Sequence, residues 1–387
     1  MKSQTTQGLF SMDVKQYPII VSLDVHAGNI YMYAVDIRTG TVLADCNLPG
    51  KTDAVLKHLQ KIHINVRQTV IIYEAGPAGF PPYRIFTKNG FACGVIAPSS
   101  IPRQVKRNKT DRNDAINNLQ YCASGLLGYV HVPDSEDESN RELIRYRYDL
   151  VYQTTKQKQK IGSFLKRSGI VYELTKTTWT QTHRKWLTRV ELPKAGRYLL
   201  NLMLRNLDSL ETQLEMLDKE LDSIVLSNPK YEVTVNLVEN IAGFGRVGAI
   251  TLAMEIVDFS RFAHPNALMS FTGLVPGKYA SGASDPSMGI TKAGNGFLRI
   301  AYINAAKSYR DRRLLRTTAF IKKQSEPMRE FLTRLQDRLY ARYRHLCANG
   351  KHSNKAKCAI ARELCGFTWE LFVKVAKTLE VPLQQVA

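Results

Sequence analysis

Between Tyr17 and Pro133 short apolar runs rich in β-branched residues alternate with amphipathic stretches. The period-two runs predict strands at Ile19–Asp24, Tyr31–Ile37, Val42–Asn47, Val70–Glu74 and Cys93–Ala97. The intervening stretches predict helices over Asp53–His63, Pro82–Asn89 and Arg112–Leu126. Tight turns at Ala27-Gly28-Asn29 and Thr39-Gly40 join the first three strands directly, whereas the later strands alternate with helices. This order predicts a mixed sheet.

After Ser139 the pattern becomes helical as far as Ser227, with a break near Pro193-Lys194-Ala195-Gly196. Leu200, Met203, Leu207, Leu210, Leu214, Leu217, Leu221 and Ile224 repeat in an unbroken 3-4 alternation, the spacing of a coiled-coil seam. The seam is expected to make dimer contacts between copies; a long amphipathic helix packed within one chain shares that spacing and stays open as the alternative. Asn228-Pro229 stops the helix. From Val233 onward the chain reads as mainly helical, with glycine-rich loops at Gly243–Gly245 and Gly273–Gly296. The expected organisation is a tail at 1–16, an α/β domain at 17–138, a helical region at 139–228 and a mainly α domain at 229–387.

Charge changes this picture. The 387 residues carry a formal net charge of +20, far beyond what solubility requires, and a surplus of that size points to a polyanionic partner, first of all nucleic acid. Between Arg299 and Lys357 sixteen Lys or Arg face four Asp or Glu, which makes this segment the leading contact region. Arg312 and Arg313 lie within it. No apolar run approaches the length of a membrane span and Met1 begins no signal pattern, so a cytoplasmic protein is expected. Six scattered cysteines in apolar runs predict reduced thiols. His345, Cys347, His352, Cys358 and Cys365 cluster, but without zinc-ligand spacing.

The candidate chemistry begins at strand ends. Asp24 closes Ile-Val-Ser-Leu-Asp and Glu74 closes Val-Ile-Ile-Tyr-Glu, so each apolar strand delivers a carboxylate to the sheet edge. Asp111 and Asp114, at i and i+3 of a helix start, can face one point. Helix capping is the competing reading for that pair. If the four converge, each close pair repels by roughly 3–4 kcal/mol at an effective dielectric near 20, so divalent cations are needed, and hard oxygen ligands select Mg²⁺ or Mn²⁺. Sugar kinases and actin-like ATPases share the strand, Asp and glycine hairpin, but this chain lacks further glycine-rich phosphate loops.

Ile241-Ala242-Gly243-Phe244-Gly245-Arg246 precedes an apolar run and looks like a helix-hairpin-helix turn, whose glycines let backbone N–H groups approach a phosphate. Phe271-Thr272-Gly273, Ser281-Gly282 and Thr291-Lys292-Ala293-Gly294-Asn295 with Leu298-Arg299 follow. Lys292, Asn295 and Arg299 are candidate nucleic-acid contacts. Together with Asp24, Glu74, Lys109-Thr110-Asp111-Arg112-Asn113-Asp114, and Lys355-Ala356-Lys357 with Ala359–Arg362, these motifs resemble the DEDD transposases of the insertion-sequence one-ten class, the bridge-RNA-guided recombinases, and the related Piv-type DNA invertases. The resemblance spans nearly the whole chain except its first sixteen residues.

That resemblance implies an RNase H-like (RuvC-like) N-terminal domain with a four-carboxylate metal site and a C-terminal transposase domain. It implies that Ser281 attacks a DNA phosphate and becomes covalently linked, that a structured non-coding guide RNA pairs with donor and target DNA, and that the protein works as a tetramer. From the residues alone Tyr279, Ser284 and Ser287 remain alternative nucleophiles. A protein-guided invertase, a junction-resolving nuclease and a non-enzymatic nucleic-acid-binding regulator remain alternative functions.

Overall fold

The computed structural model describes residues 13–102, 110–175, 177–277 and 289–378. The chain divides into two compact, discontinuous units: Met1–Asp134 with Phe259–Arg299 and Ala361–Glu370, and Ser135–Asp258 with Ile300–Ile360 and Leu371–Ala387. The residues from 229 onward are thus shared between both units, because contacts rather than chain order define them.

In the first unit, β1 (Ile19–Val25), β2 (Asn29–Asp36), β3 (Thr41–Pro49), β4 (Thr69–Glu74) and β5 (Ala92–Ile96) form a sheet of order β3-β2-β1-β4-β5. β1, β2 and β3 pair antiparallel, while β1–β4 and β4–β5 are parallel. Mixed pairing of this kind, followed by a largely helical body, is compatible with the RNase H-like arrangement. The central strands are buried on both faces, which is why they read as continuous apolar runs. Odd positions of β1 and β4, including Val21, Leu23, Ile71 and Tyr73, meet Val55 and Leu59 of α1 (Thr52–Lys61) and Phe86 of α2 (Pro81–Lys88). Even positions, Ile20, Val70 and Ile72, meet Leu119 and Cys122 of α3 (Asp111–Ala123).

The second unit opens with α4 (Ser135–Arg167), followed by α5 (Gln181–Arg189), α6 (Lys194–Ser227), α7 (Pro229–Glu239) and α8 (Arg246–Ile256). Two non-helical stretches therefore separate α4 from α6 where the sequence pattern suggested one break. α4 and α6 lie antiparallel: Arg147 Nε donates to Asp218 at 2.5 Å, Gln157 donates to the Met203 carbonyl at 2.8 Å, and Lys158 meets Glu211 at 2.8 Å. Leu200, Leu207, Leu210 and Leu221 of the predicted seam are buried, Leu200 and Leu207 in a core with Ile161 and Leu165 of α4. α4 thus covers the seam within the chain. Asn228 ends α6 and caps α7 by accepting from Lys230 N.

Further helices include α9 (Pro265–Phe271) in the first unit, α10 (Gly296–Ala306), α11 (Thr318–Lys322), α12 (Glu326–Ala348) and α13 (Ser353–Glu370). The six cysteines are unpaired. No described helix is long and apolar enough to cross a membrane.

Inside the second unit Glu255 of α8 is completely buried and is held by Arg145, whose Nε and Nη2 donate at 2.7 and 3.0 Å, with Arg141 at 3.6 Å. Glu255→Ala would leave two guanidinium groups around an empty carboxylate site. The expected loss is about 3 kcal/mol, at the low end for a broken buried pair because Arg145 retains some contact with water. Urea unfolding measures it, and a loss below about 1 kcal/mol would remove this ion pair from the account of the helical unit.

Candidate metal centre and nucleic-acid interface

Asp24 and Glu74 leave neighbouring strands at the same level. Leu23 stands opposite Tyr73 in the parallel β1–β4 pair, so the two carboxylates come one step later, on backbones about 5 Å apart. Both occupy even positions, on the face that α3 covers. The C-terminal half of α3 supplies the apolar contact over Ile20 and Ile72, which sends its first turn, with Asp111 and Asp114, toward the strand ends.

Three polar contacts seat that first turn. Asn29 Nδ2 donates to Asp111 Oδ2 at 3.1 Å, and Arg112 makes a bidentate pair with Asp45 on β3, its Nε lying 3.1 and 3.0 Å from the two oxygens. Tyr31 also donates to Asp45, at 2.5 Å. The Arg112 guanidinium, and next the Tyr31 hydroxyl, hold the Asp45 carboxyl below its ordinary range. The helix cap itself belongs to Thr110, whose hydroxyl accepts from Asn113 N at 3.2 Å. Capping therefore does not require the side chains of Asp111 or Asp114.

Asp24, His26 and Asp111 place one potential ligand atom each within 4.8 Å of one another, and they are the metal-competent cluster among the described residues. His26 Nε2 lies 3.3 Å from Asp24 Oδ2 and 3.6 Å from Asp111 Oδ1. Burial pushes the Asp24 carboxyl up from 3.8; His26 pulls it back, while Asp111 and then Asp114 push it further up. Glu74 and Asp114 stand outside the three-residue cluster, Glu74 beside it by strand register and Asp114 acting on Asp24 through its charge. The donors fit a divalent cation: hard carboxylate oxygens converge with one imidazole, and their mutual repulsion is what such an ion would relieve. His26 was missed in the sequence reading because it lies in a turn. Its signal was position i+2 from a strand-end aspartate, where the hairpin folds back.

The C-terminal candidates fall in two places. In the first unit, residues 271–277 and 289–296 clamp together: Gly277 N donates to Gly289 O at 2.8 Å, Thr291 N to Val275 O at 2.9 Å, Lys292 N to Gly273 O at 3.1 Å and Asn295 N to Phe271 O at 2.7 Å. Gly294 adopts φ +111°, and a Cβ there would sit 2.3 Å from the Phe271 carbonyl oxygen, so only glycine fits. Asn295 Oδ1 accepts from Leu298 N at 3.0 Å at the start of α10. Arg299 Nη1 donates to the carbonyls of Thr272 and Lys292 at 2.9 and 3.2 Å, tying the clamp from below, and burial pulls its pKa down. Ser281, with Tyr279, Ser284 and Ser287, lies outside the described residues, as does Lys109.

In the second unit Gly243, at φ +92°, lies against Ala305 of α10, where a Cβ would meet its carbonyl oxygen at 2.2 Å. Gly245 is open and starts α8, and Arg246 pairs with Asp222 at 2.7 Å. Arg312 and Arg313 border a cleft of about 470 Å³ shared with Arg316, Lys322 and Arg329. Arg313 pairs with Asp311 at 2.6 Å and Arg312 with Asp337 at 3.2 Å, both at the surface, where such pairs yield readily to a competing phosphate.

Two regions of the chain match known transposase families. Residues 21–170 match a DEDD-type IS110 transposase model, and residues 235–321 match the transposase IS116/IS110/IS902 family. The transposase-named protein y4qE of Sinorhizobium fredii is 32% identical over 88% of this chain and 85% of its own length. The IS1533 transposase of Leptospira borgpetersenii is 28% identical over 64% of this chain and 73% of its own length. The IS1328 transposase of Yersinia enterocolitica is 24% identical over 88% and 96%.

The charge cluster has a measurable signature. Because the Asp24 pKa is raised on folding, the folded protein holds that proton more tightly than the unfolded chain does. Its ionisation therefore costs stability as pH rises above 3.8, and the cost is complete at neutral pH. Asp24→Asn in EDTA should raise the melting temperature at pH 7, lose that gain near pH 3.5, and forfeit it again when Mg²⁺ stabilises the unaltered protein only. A variant that is less stable at pH 7 in EDTA would show that the carboxylates do not strain the fold.

Proposed function

Since the chain belongs to the IS116/IS110/IS902 transposase family, we propose that it exchanges DNA strands for a mobile element through a divalent-metal site and a serine nucleophile, guided by a structured RNA. The observation that carries the reading is the convergence of Asp24 and Asp111, with Glu74 adjacent by register and Asp114 in electrostatic range. Asp24, Glu74, Asp111 and Asp114 would hold Mg²⁺ or Mn²⁺, with His26 at the rim. When bound, the cation would polarise a phosphate and lower the pKa of a hydroxyl near it.

The rest is the work of this chain's residues. Ser281 Oγ forms a bond to phosphorus as the P–O bond to the leaving strand breaks, and the hydroxyl proton passes to a carboxylate of the site. No histidine lies near Ser281 in sequence, so the carboxylates are its source of activation. The clamp at 271–277 and 289–296 fixes both ends of the segment that contains the serine. Gly243, Gly245, Arg246, Lys292, Asn295, Arg299, Arg312 and Arg313 position donor and target DNA and the guide RNA, the exposed Arg312 and Arg313 by direct phosphate contact. Tetramer formation would use the apolar residues that α6 leaves exposed beside its covered seam, Tyr198, Leu199, Leu202 and Met216.

A serine phosphodiester survives denaturant, so wild-type protein with Mg²⁺ and a nicked substrate should yield a covalent protein–DNA species whose peptide map places DNA on Ser281. Ser281→Ala and Asp24→Asn should both lose it while still binding nucleic acid. Linkage at Tyr279, Ser284 or Ser287, or cut DNA without linkage, would overturn the serine assignment, and recombination by RNA-free protein would overturn RNA guidance. Arg312→Ala with Arg313→Ala should flatten the logarithmic salt dependence of duplex binding by about 2. An unchanged slope would place the duplex elsewhere.

A further inference from the structure

The residue that follows the first strand brings a nitrogen to a group of carboxylate oxygens. β1 ends at Val25, but its ladder with β2 runs one step further: His26 N donates to Asn29 O at 2.9 Å across the two-residue turn Ala27-Gly28. Extended backbone therefore continues to His26, and the period of two returns its side chain to the face that Asp24 occupies, the one covered by α3. The turn has little room to shift. Gly50 N, just beyond β3, donates to Gly28 O at 3.1 Å, and a Cβ on Gly50 would lie 2.5 Å from the Ala27 carbonyl oxygen. Asn29, opposite His26, reaches Asp111 at 3.1 Å and Asn47 at 3.2 Å with its side-chain amide.

As a result one atom, His26 Nε2, faces two carboxylates from different elements, Asp24 Oδ2 at 3.3 Å and Asp111 Oδ1 at 3.6 Å. Around a six-coordinate ion with bonds of about 2.1 Å, neighbouring donor atoms stand about 3 Å apart and opposite ones about 4 Å. Both spacings fall between those values. An ion that reaches the two carboxylates is therefore within reach of the imidazole lone pair as well. The ring also bears on which ion is held. Mg²⁺ takes oxygen donors and parts reluctantly with its water, whereas a first-row transition ion such as Mn²⁺ accepts carboxylate oxygen and imidazole nitrogen together.

We propose that His26 is a ligand of the divalent ion and biases the site toward Mn²⁺ over Mg²⁺. This rests on the metal site proposed above and adds to its four carboxylates a fifth residue with a different donor atom. Asp24 and Asp111 supply the charge that draws any divalent cation, and His26 supplies the preference among them. An imidazole that served only to hydrogen-bond the two carboxylates would have the opposite effect, because it would occupy their oxygens in competition with the ion. The side chain is 53% exposed, and the backbone bond that His26 makes does not need the ring, so its removal leaves the hairpin in place.

The test uses the full-length, untagged protein stripped with EDTA, and Mn²⁺ or Mg²⁺ alone as the probe. Bound Mn²⁺ should show, by electron spin-echo envelope modulation, the coupling of a directly coordinated nitrogen nucleus. His26→Ala should remove that coupling, weaken Mn²⁺ binding at least ten-fold by calorimetry and weaken Mg²⁺ binding less than three-fold. His26→Gln, which offers an oxygen in place of the nitrogen, should also lose the coupling. The retained Mg²⁺ affinity shows that either variant is folded. Mn²⁺ bound without nitrogen coupling, coupling that persists in His26→Ala, equal losses of the two ions, or tighter binding after His26→Ala would each overturn the proposal and leave the metal site standing. Absence of bound Mn²⁺, or Mn²⁺ binding untouched by Asp24→Asn, would overturn the metal site and this proposal with it.

Discussion

The acidic edge of the sheet depends on holding like charges together. Asp24 comes at the end of a fully buried strand and has no freedom to retreat, because Ile20 and Leu23 below it are fixed in two different cores. Asp111 is brought to it by a helix whose other end is buried over the same sheet. The neighbours that hold the first turn of α3, Asn29, Asp45 and Arg112, therefore act against a repulsion that the sheet itself creates. Their contacts are mostly exposed, so they are weak singly and work because the apolar half of α3 has already set the register.

Much of this was visible in the order of residues. Central strands buried on both faces announce themselves as unbroken β-branched runs, and a carboxylate closing such a run has few structural reasons to be there. Asp24 and Glu74 stood out for that cause; Asp24 falls in the converging cluster, while Glu74 stands beside it by register. Whether Asp111 and Asp114 served as caps could not be decided from spacing, since a first-turn aspartate looks the same in both roles; the Thr110 hydroxyl takes the cap. His26 was hidden because a turn residue's direction depends on the hairpin and not on periodicity.

The glycine motifs were harder to read, and for a common reason. Gly243 and Gly294 each permit a backbone to approach another backbone far away in sequence, at Ala305 and Phe271. A pattern along one segment says that room is needed but not what fills it. Arg299 likewise is held by the carbonyls of Thr272 and Lys292, partners that its own motif does not name. The leucine seam of α6 has the same ambiguity: a 3-4 repeat specifies a covered face, and α4 supplies the cover.

The length of α4 has a further meaning. Its 33 residues span about 50 Å, and α6 returns along it. Each added residue would lengthen it by about 1.5 Å but also turn its covered face by about 100°. Such a hairpin cannot be lengthened one residue at a time. Related chains should differ in hairpin length by steps of about seven residues, made together in α4 and α6, because only those keep the covered seam in phase.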